Sequence, residues 1–321
     1  MRTVSILLLL PLFPFPAAAQ SYPSKPIRVI ATFPAGNSGD VAIRLASPVM
    51  SQSMGQPVIV ENRPAAGGQV AAMAVKQAPP DGYTALISTS APMVTARYLV
   101  KNVPYDTLRD FTPITKVISV PSVFAVSSAL PVNSVPEFIE YAKRNPGRIA
   151  FGSTGNGTAF HMIGESLSMD AGLKMLHVPY SAQGMAQPVA DLANDRIQLL
   201  FPTIVSLGPQ MKTGKVRILA VVDRTRLKQI PDVPAITEVY PGYTLLPSWF
   251  AFMGPAGLPA PVTQRLQTEL RAALHNPEIS AKLEGMGSTP VGNTPAEFAE
   301  EIRQAIAAVG KIAQSLGIEP Q

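Results

Sequence analysis

From Lys25 onward the chain alternates between short β-branched runs and helix-patterned stretches, with Gly or Pro at most of the exchanges. Lys25 to Phe33 reads as a strand; Pro34, Gly36 and Gly39 break it, and Val41, Arg44, Leu45 and Val49 then recur at helical spacing from Asp40. Pro57 to Glu61 is a second strand, followed by a Gly67-Gly68 turn, a helical stretch from Gln69 to Gln77 and a strand from Tyr83 to Ser88. Such alternation predicts a parallel sheet covered by helices.

Near Pro121 the pattern starts afresh. Strands are expected at 123–126, 148–152, 176–179, 197–201 and 216–222, and helices at 134–144, 158–169, 184–194 and 206–213. After a Pro-rich connection from Pro231 to Pro247, one strand at 249–253 precedes helices at 261–275, 277–286 and 295–316. Helices without a sheet of their own must cover one that exists, so the tail is assigned to the first unit. The expectation is an α/β protein of two lobes, residues 20–122 with 247–321 and residues 123–246, joined by two crossings that form a hinge beside a cleft.

Residues 1–19 carry one positive charge at Arg2, an apolar run from Val4 to Leu10 and a small-residue end at Ala17-Ala18-Ala19. That is the pattern of a secretory signal peptide cut after Ala19. Pro11, Pro14 and Pro16 interrupt the segment, which argues against a spanning helix of ~20 apolar residues. The chain has 0 Cys, which excludes a disulfide scaffold and a lipid anchor on an N-terminal Cys. With 46% apolar and 15% charged residues it is not a disordered chain. Losing Arg2 lowers the formal charge of +5 by one, and the remaining Lys and Arg are scattered rather than gathered into a nucleic-acid patch.

Two loops stand out, each following a strand and opening a helix. One is Phe33-Pro34-Ala35-Gly36-Asn37-Ser38-Gly39-Asp40; the other is Phe151-Gly152-Ser153-Thr154-Gly155-Asn156-Gly157-Thr158. Backbone N–H groups and the positive end of a helix macrodipole meet in such loops and favour an anion. The first could equally be an ordinary turn capped by Ser38 or Asp40. Two loops, one per lobe, could hold the two ends of one anion.

Nucleotide chemistry fails on spacing: Phe160 stands where a dinucleotide fingerprint needs a third small residue, and neither loop ends in the Gly-Lys-Ser/Thr of a P-loop. Ser153 as a nucleophile lacks the first Gly of the Gly-x-Ser-x-Gly elbow, where Phe151 stands. His161, His177 and His275 are far apart in sequence, and no Cys or close His pair suggests a metal. His161 could touch a ligand or pack at the lobe surface, and Asp106, Asp110 and Asp191 read as solvated or helix-capping. No catalytic residue, metal or cofactor is expected.

Taken together, several stretches resemble one family, the substrate-binding receptors of tripartite tricarboxylate transporters, or Bug-type periplasmic receptors. They are Tyr22 to Arg28, Phe33 to Gly36 with Asp40 and Arg44, Gln56 to Pro64 with Gly67-Gly68, Pro80 to Tyr83, Phe151 to Ser153 with Gly155, Gly157 and His161, Val178 to Tyr180, Gly214 to Arg217, and Trp249 with Pro255 to Gly257. The resemblance implies a type II periplasmic-binding-protein fold, a small carboxylate held in the cleft partly through waters, and delivery to a membrane permease. It implies a site made of Ala35, Gly36, Asn37, Ser38, Asp40, Thr89 and Ser90 in the first lobe and Ser153, Thr154, Gly155, Gly157, Thr158 and His161 in the second. Tyr180, Ser181, Ala182, Pro202 and Thr203, on later loops, would select the rest of the ligand.

Departures from the family pattern fall where specificity is expected. Asn37 stands for the usual Gly, Ser181-Ala182 for Lys-Gly, Asn194 to Gln198 for a Gly-x-x-Asp turn, and Phe201-Pro202-Thr203 for a more polar segment. Losing a Lys and an Asp there argues against an amino-acid ligand, whose ammonium wants a carboxylate partner, and for a less polar, aromatic-compatible acid. A monomer is expected, with no nucleic-acid partner. A receptor feeding a two-component sensor, and a hydrolase centred on Ser153, remain as alternatives.

Overall fold

A computed structural model of the chain describes residues 22–155, 158–180 and 185–320. The expected signal peptide therefore lies outside the described residues.

The chain opens with β1 (Ile27–Ala31), α1 (Ser38–Met54), β2 (Val58–Asn62), α2 (Gln69–Lys76) and β3 (Thr84–Thr89), then two short helices, α3 (Ala96–Leu99) and α4 (Thr107–Asp110), and β4 (Phe111–Ser119). A second series follows: β5 (Ser122–Ser127), α5 (Val135–Arg144), β6 (Ala150–Ser153), α6 (Ala159–Ala171), β7 (Leu176–Pro179), α7 (Ala186–Ala193), β8 (Leu199–Leu200), α8 (Ile204–Leu207), β9 (Val216–Val222) and α9 (Ile236–Val239). It closes with β10 (Trp249–Pro255), α10 (Ala260–Leu274), α11 (Pro277–Gly285), β11 (Thr289–Pro290) and α12 (Pro295–Ser315).

These strands form two sheets. The first has the order β11-β4-β10-β3-β1-β2 and the second β7-β6-β8-β5-β9. β1 runs parallel to β2 and β3, while β10 runs antiparallel to both β3 and β4. In the second sheet β6 is parallel to β7 and β8, and β5 is antiparallel to β8 and β9. The sheets are therefore mixed, with parallel pairing where βα units repeat and antiparallel pairing where the chain changes sheets.

β4 is a nine-residue strand that periodicity alone does not reveal. Pro113 interrupts its apolar pattern and cannot donate to a ladder. The pairing with β10 absorbs this by register shifts between Phe250 and Ala251 and between Phe252 and Met253, next to the Met253–Pro113 pair. The helix expected at 206–213 is instead α8 followed by a 3-10 turn over Gly208–Thr213, because Gly208 takes φ 40 and breaks the helix.

Helix faces explain the packing. α12 begins at Thr294, which exchanges hydrogen bonds with Glu297 in a capping box, and buries Phe298, Ile302, Ala305, Val309 and Ile312 along one stripe. That stripe joins Trp249, Met253 and Val75 on one face of the first sheet, while α1 and α10 cover the other with Ile43, Met50, Leu266 and Leu270. Met162, from α6 beside the second sheet, is 1% exposed and packs in the cluster of Trp249 and Phe298.

The chain passes between sheets at residues 120–121 and again just before Trp249. The two crossings are tied together: the Val120 N–H donates to the Ser248 carbonyl at 2.9 Å, and the Ser248 hydroxyl donates to the Val120 carbonyl at 2.6 Å. The Ser119 hydroxyl also donates to Asp223, at the end of β9, over 2.8 Å.

Candidate functional site

Strand polarity decides which loops face the crossings. Trp249 pairs with Ser119 and Phe250 with Thr89, so the end of the first sheet that leads into the crossings also carries the C-terminal ends of β3 and β1. In the second sheet Ser122 bridges Thr203, and β6 and β7 run parallel to β8, so Ser153, Tyr180 and Thr203 all lie at the end where β5 enters. The strand ends bearing Ala35 to Asp40, Thr89 and Ser90 thus point toward the second sheet, and those bearing Ser153, Thr158, Tyr180, Pro202 and Thr203 toward the first.

The first loop is held from within by Asp40, which is 3% exposed. Its carboxylate accepts from the Gly36 N–H at 3.0 Å, from Asn62 Nδ2 at 2.8 Å and from Arg44 Nε at 3.0 Å. Burial pushes this carboxyl up, but the hydrogen bonds from Asn62, Gly36 and Arg44 outweigh it and hold the pKa below the ordinary range. Arg44 donates onward to Asn62 Oδ1 at 2.7 Å, and Asn62 Nδ2 also reaches the Phe33 carbonyl at 3.1 Å.

The helix cap is Asn37, not Ser38 or Asp40: its side chain accepts from the Asp40 N–H at 2.9 Å. With φ −80 and ψ 171 it has extended backbone, so the Gly usual in the family is not required here. Gly36, at φ 90, supplies the left-handed step, and Ala35 and Gly36 are exposed. The N–H groups of Ser38 and Gly39 come before the intrahelical ladder and are left at the loop. Gly39 lies against the Phe250 ring, with no room for a Cβ, and Phe33 meets the same ring edge-on at 5.2 Å. Thr89 ends β3, and the Ser90 hydroxyl donates to the Pro247 carbonyl at 2.9 Å, linking this strand end to the second crossing.

In the second loop Ser153 is fully buried. Its Oγ lies 2.6 Å from His177 Nε2 and accepts the Gly155 N–H at 3.1 Å. Thr158 caps α6, accepting from the His161 N–H at 3.4 Å while its hydroxyl donates to the Gly155 carbonyl at 2.8 Å. The histidines that are distant in sequence meet here: His161 and His177 stack with centroids 3.9 Å apart, and Phe151 lies 5.0 Å from His177. His161 is therefore packed inside the lobe, 9% exposed, with Nε2 3.6 Å from Glu165. Thr154 is half-buried; Gly157, Ser181 and Ala182 lie outside the described residues.

Beside this loop, Tyr180 donates to Asp191 at 2.8 Å; Gln187 adds a bond at 2.9 Å and Arg196 one at 3.1 Å. Asp191 is thus a buried, fully engaged carboxylate, where sequence suggested a solvated or capping one. Asp106 does cap α4, and Asp110 pairs with Lys76 at 2.9 Å. Pro202 is buried and accepts the Val123 N–H through its carbonyl at 2.8 Å, and Thr203 caps α8. Sequence reasoning missed Asn62, His177 and Asp191 as parts of this framework; Asp40 and Arg44 stood out only through the family resemblance.

A cavity of about 90 Å³ lies at the crossings, lined by Lys116, Asp223, Arg224, Trp249 and Glu301 among others. It has room for about three waters, none of the loop residues lines it, and Lys116 and Glu301 pair across 2.6 Å. We place no ligand there.

Two mixed sheets joined by paired crossings, with glycine-containing strand–helix loops at the ends that lead into them, are the architecture of a two-lobe periplasmic binding protein. Residues 42–318 match the tripartite tricarboxylate transporter family receptor, and the chain belongs to that family. It is 34% identical over 307 residues to a UPF0065 protein of Bordetella pertussis, covering 95% of this chain and 94% of that one. Its structure is similar to that of R. palustris Rpa4515 with adipate (31% identity, 94% of this chain, 100% of that one, TM-score 0.67). It is also similar to the periplasmic binding protein BugD (29%, 94% and 100%, TM-score 0.64).

The chain is accordingly a periplasmic-binding-protein-type receptor and not an enzyme, and Ser153, the residue a hydrolase reading would need, is 0% exposed. Among the described residues, no helix is long and apolar enough to cross a membrane.

Proposed function

We infer that the protein is exported through a cleaved signal peptide, captures a small carboxylate between the two loop sets, and presents it to the membrane subunits of a tripartite tricarboxylate-type transporter. The observation that supports this reading is that α1 and α6, each with a built N-terminal cap, open at the sheet ends that lead into the crossings. A helix terminus contributes roughly 0.3–2 kcal/mol toward an anion, against about 8 kcal/mol for micromolar binding. Direct and water-mediated hydrogen bonds in the closed cleft supply the remainder.

Ligand class follows from charge. Asp40 is matched by Arg44 and Asp191 by Arg196, so neither carboxylate is left to pair with an ammonium group. The guest is an acid without an amine, of the kind the R. palustris relative holds as adipate, with a less polar or aromatic remainder.

Thermal-shift screening with adipate, benzoate, malate, aspartate and glutamate tests this. Stabilisation by amine-free acids over aspartate and glutamate is expected; the reverse order would reject the ligand class, and no shift with any acid would reject carboxylate capture. Intact-mass measurement of the periplasmic protein should give a chain starting at Gln20.

A further inference from the structure

We propose that His177 is a positioning residue for the second binding loop: through Ser153 Oγ it fixes the Ser153–Gly155 turn at the end of β6. Its functional meaning rests on the carboxylate reading of that loop.

The geometry is a relay from strand to loop. His177 sits on β7 directly opposite Phe151 of β6, and Ser153 lies two residues further along β6, on the same face of the sheet. Ser153 has one proton and several neighbours. Its 2.6 Å contact with His177 Nε2 is the shortest, and the Gly155 carbonyl already accepts from the Thr158 hydroxyl at 2.8 Å. With the Ser153 proton on His177, the remaining lone pairs of Oγ face the Gly155 N–H, whose glycine stands at φ 132 where a side chain would be strained. Thr158 holds the Gly155 carbonyl and Tyr180 the Ser153 carbonyl, while the Gly155 N–H is given its acceptor by the Ser153 oxygen.

The His177 ring is itself fixed. His161 stacks on it at 3.9 Å, and Phe151 lies 5.0 Å away at an interplanar angle of 27°. Phe151 in turn packs so tightly on α6 that Gly164 has no room for a Cβ. The ionisable groups acting on His177 are His161 and Glu165, both from α6; β6 contributes only Phe151 and the neutral Ser153. Burial, and then His161, hold the imidazole neutral, which suits Nε2 as an acceptor. All the partners in this arrangement are the protein's own, so it sets the Ser153–Gly155 turn in the empty protein.

The test is amide hydrogen exchange at Gly155 in the ligand-free protein, as protection factors at neutral pH. His177→Phe keeps the ring stack and removes the acceptor; His177→Gln presents an amide at the place of Nε2. Protection should fall about three- to tenfold in His177→Phe, the worth of one net hydrogen bond, and recover in His177→Gln. In a Ser153→Ala background, which loses the same bond, His177→Phe should bring no further loss. Equal protection in all variants, or an equal loss with and without Ser153, would overturn the proposal, the second outcome marking a packing effect. A carboxylate panel without any thermal shift would sink the proposed function and leave this result standing.

Discussion

Arg44 Nε stands 3.0 Å from both carboxylate oxygens of Asp40, one helical turn away, while Asp40 reaches back to the Gly36 N–H at 3.0 Å. The carboxylate that sequence places among the ligand-facing residues is thereby the internal clamp of its own loop.

Replacing Asp40 by Ala should therefore cost stability as well as binding. Breaking this network is expected to remove about 1–3 kcal/mol, read by urea unfolding, and to weaken carboxylate binding about tenfold by calorimetry. Because the folded carboxyl is held below its ordinary value near 3.8, its contribution is present above that pH and lost as pH falls through the lower folded value. Unchanged stability in the variant would show that Asn62 and Asn37 hold the loop without it.

His177 makes the complementary case, a base whose folded pKa is pushed down from 6.5 to about 4 by burial and by His161. The unfolded chain takes up the proton first, so acidification should destabilise the fold progressively from about pH 6.5, levelling off below about pH 4. Melting temperatures across that window should fall less steeply in His177→Gln; identical slopes would assign the loss to other groups.

Gly39→Ala drives a methyl into the Phe250 ring. Overpacking of this kind costs typically about 1–3 kcal/mol, and Phe250→Leu in the same chain should recover part of it. Denaturant midpoints of the single and double variants decide the matter; an additive loss would mean that α1 shifts instead of clashing.

Paired crossings allow rotation of one sheet against the other, so saturating carboxylate should shift the population toward a compact form. Small-angle scattering is expected to show a smaller radius of gyration; an unchanged profile at saturation would remove hinge closure from the reading.

The alternation of elements was legible because buried strands and amphipathic helices carry their periods in the sequence. β4 was not, since Pro113 spoils its pattern and only the bulged pairing with β10 accommodates it. Both glycine loops could be read from composition, while Asp40 and Arg44 stood out only through the family resemblance, their pairing across one helical turn being seen in the fold. Asn62 and His177 were invisible because each acts across strands, Asn62 on the Phe33 carbonyl and His177 on Ser153, and parallel register is not written in either strand alone.

Met162 sets a boundary to the proposed closure. The helix that begins at the second glycine loop is rooted, through this side chain, among Trp249 and Phe298 of the opposite lobe. Swinging that helix free would wet a thioether whose burial is worth about 1.5–3 kcal/mol, a cost comparable to what one helix terminus offers an anion. Unbranched and adaptable, Met can slide against its aromatic neighbours without losing them. The proposed closure would thus be a greased swivel of limited throw, with the proposed gripping surface and its pivot on the same helix.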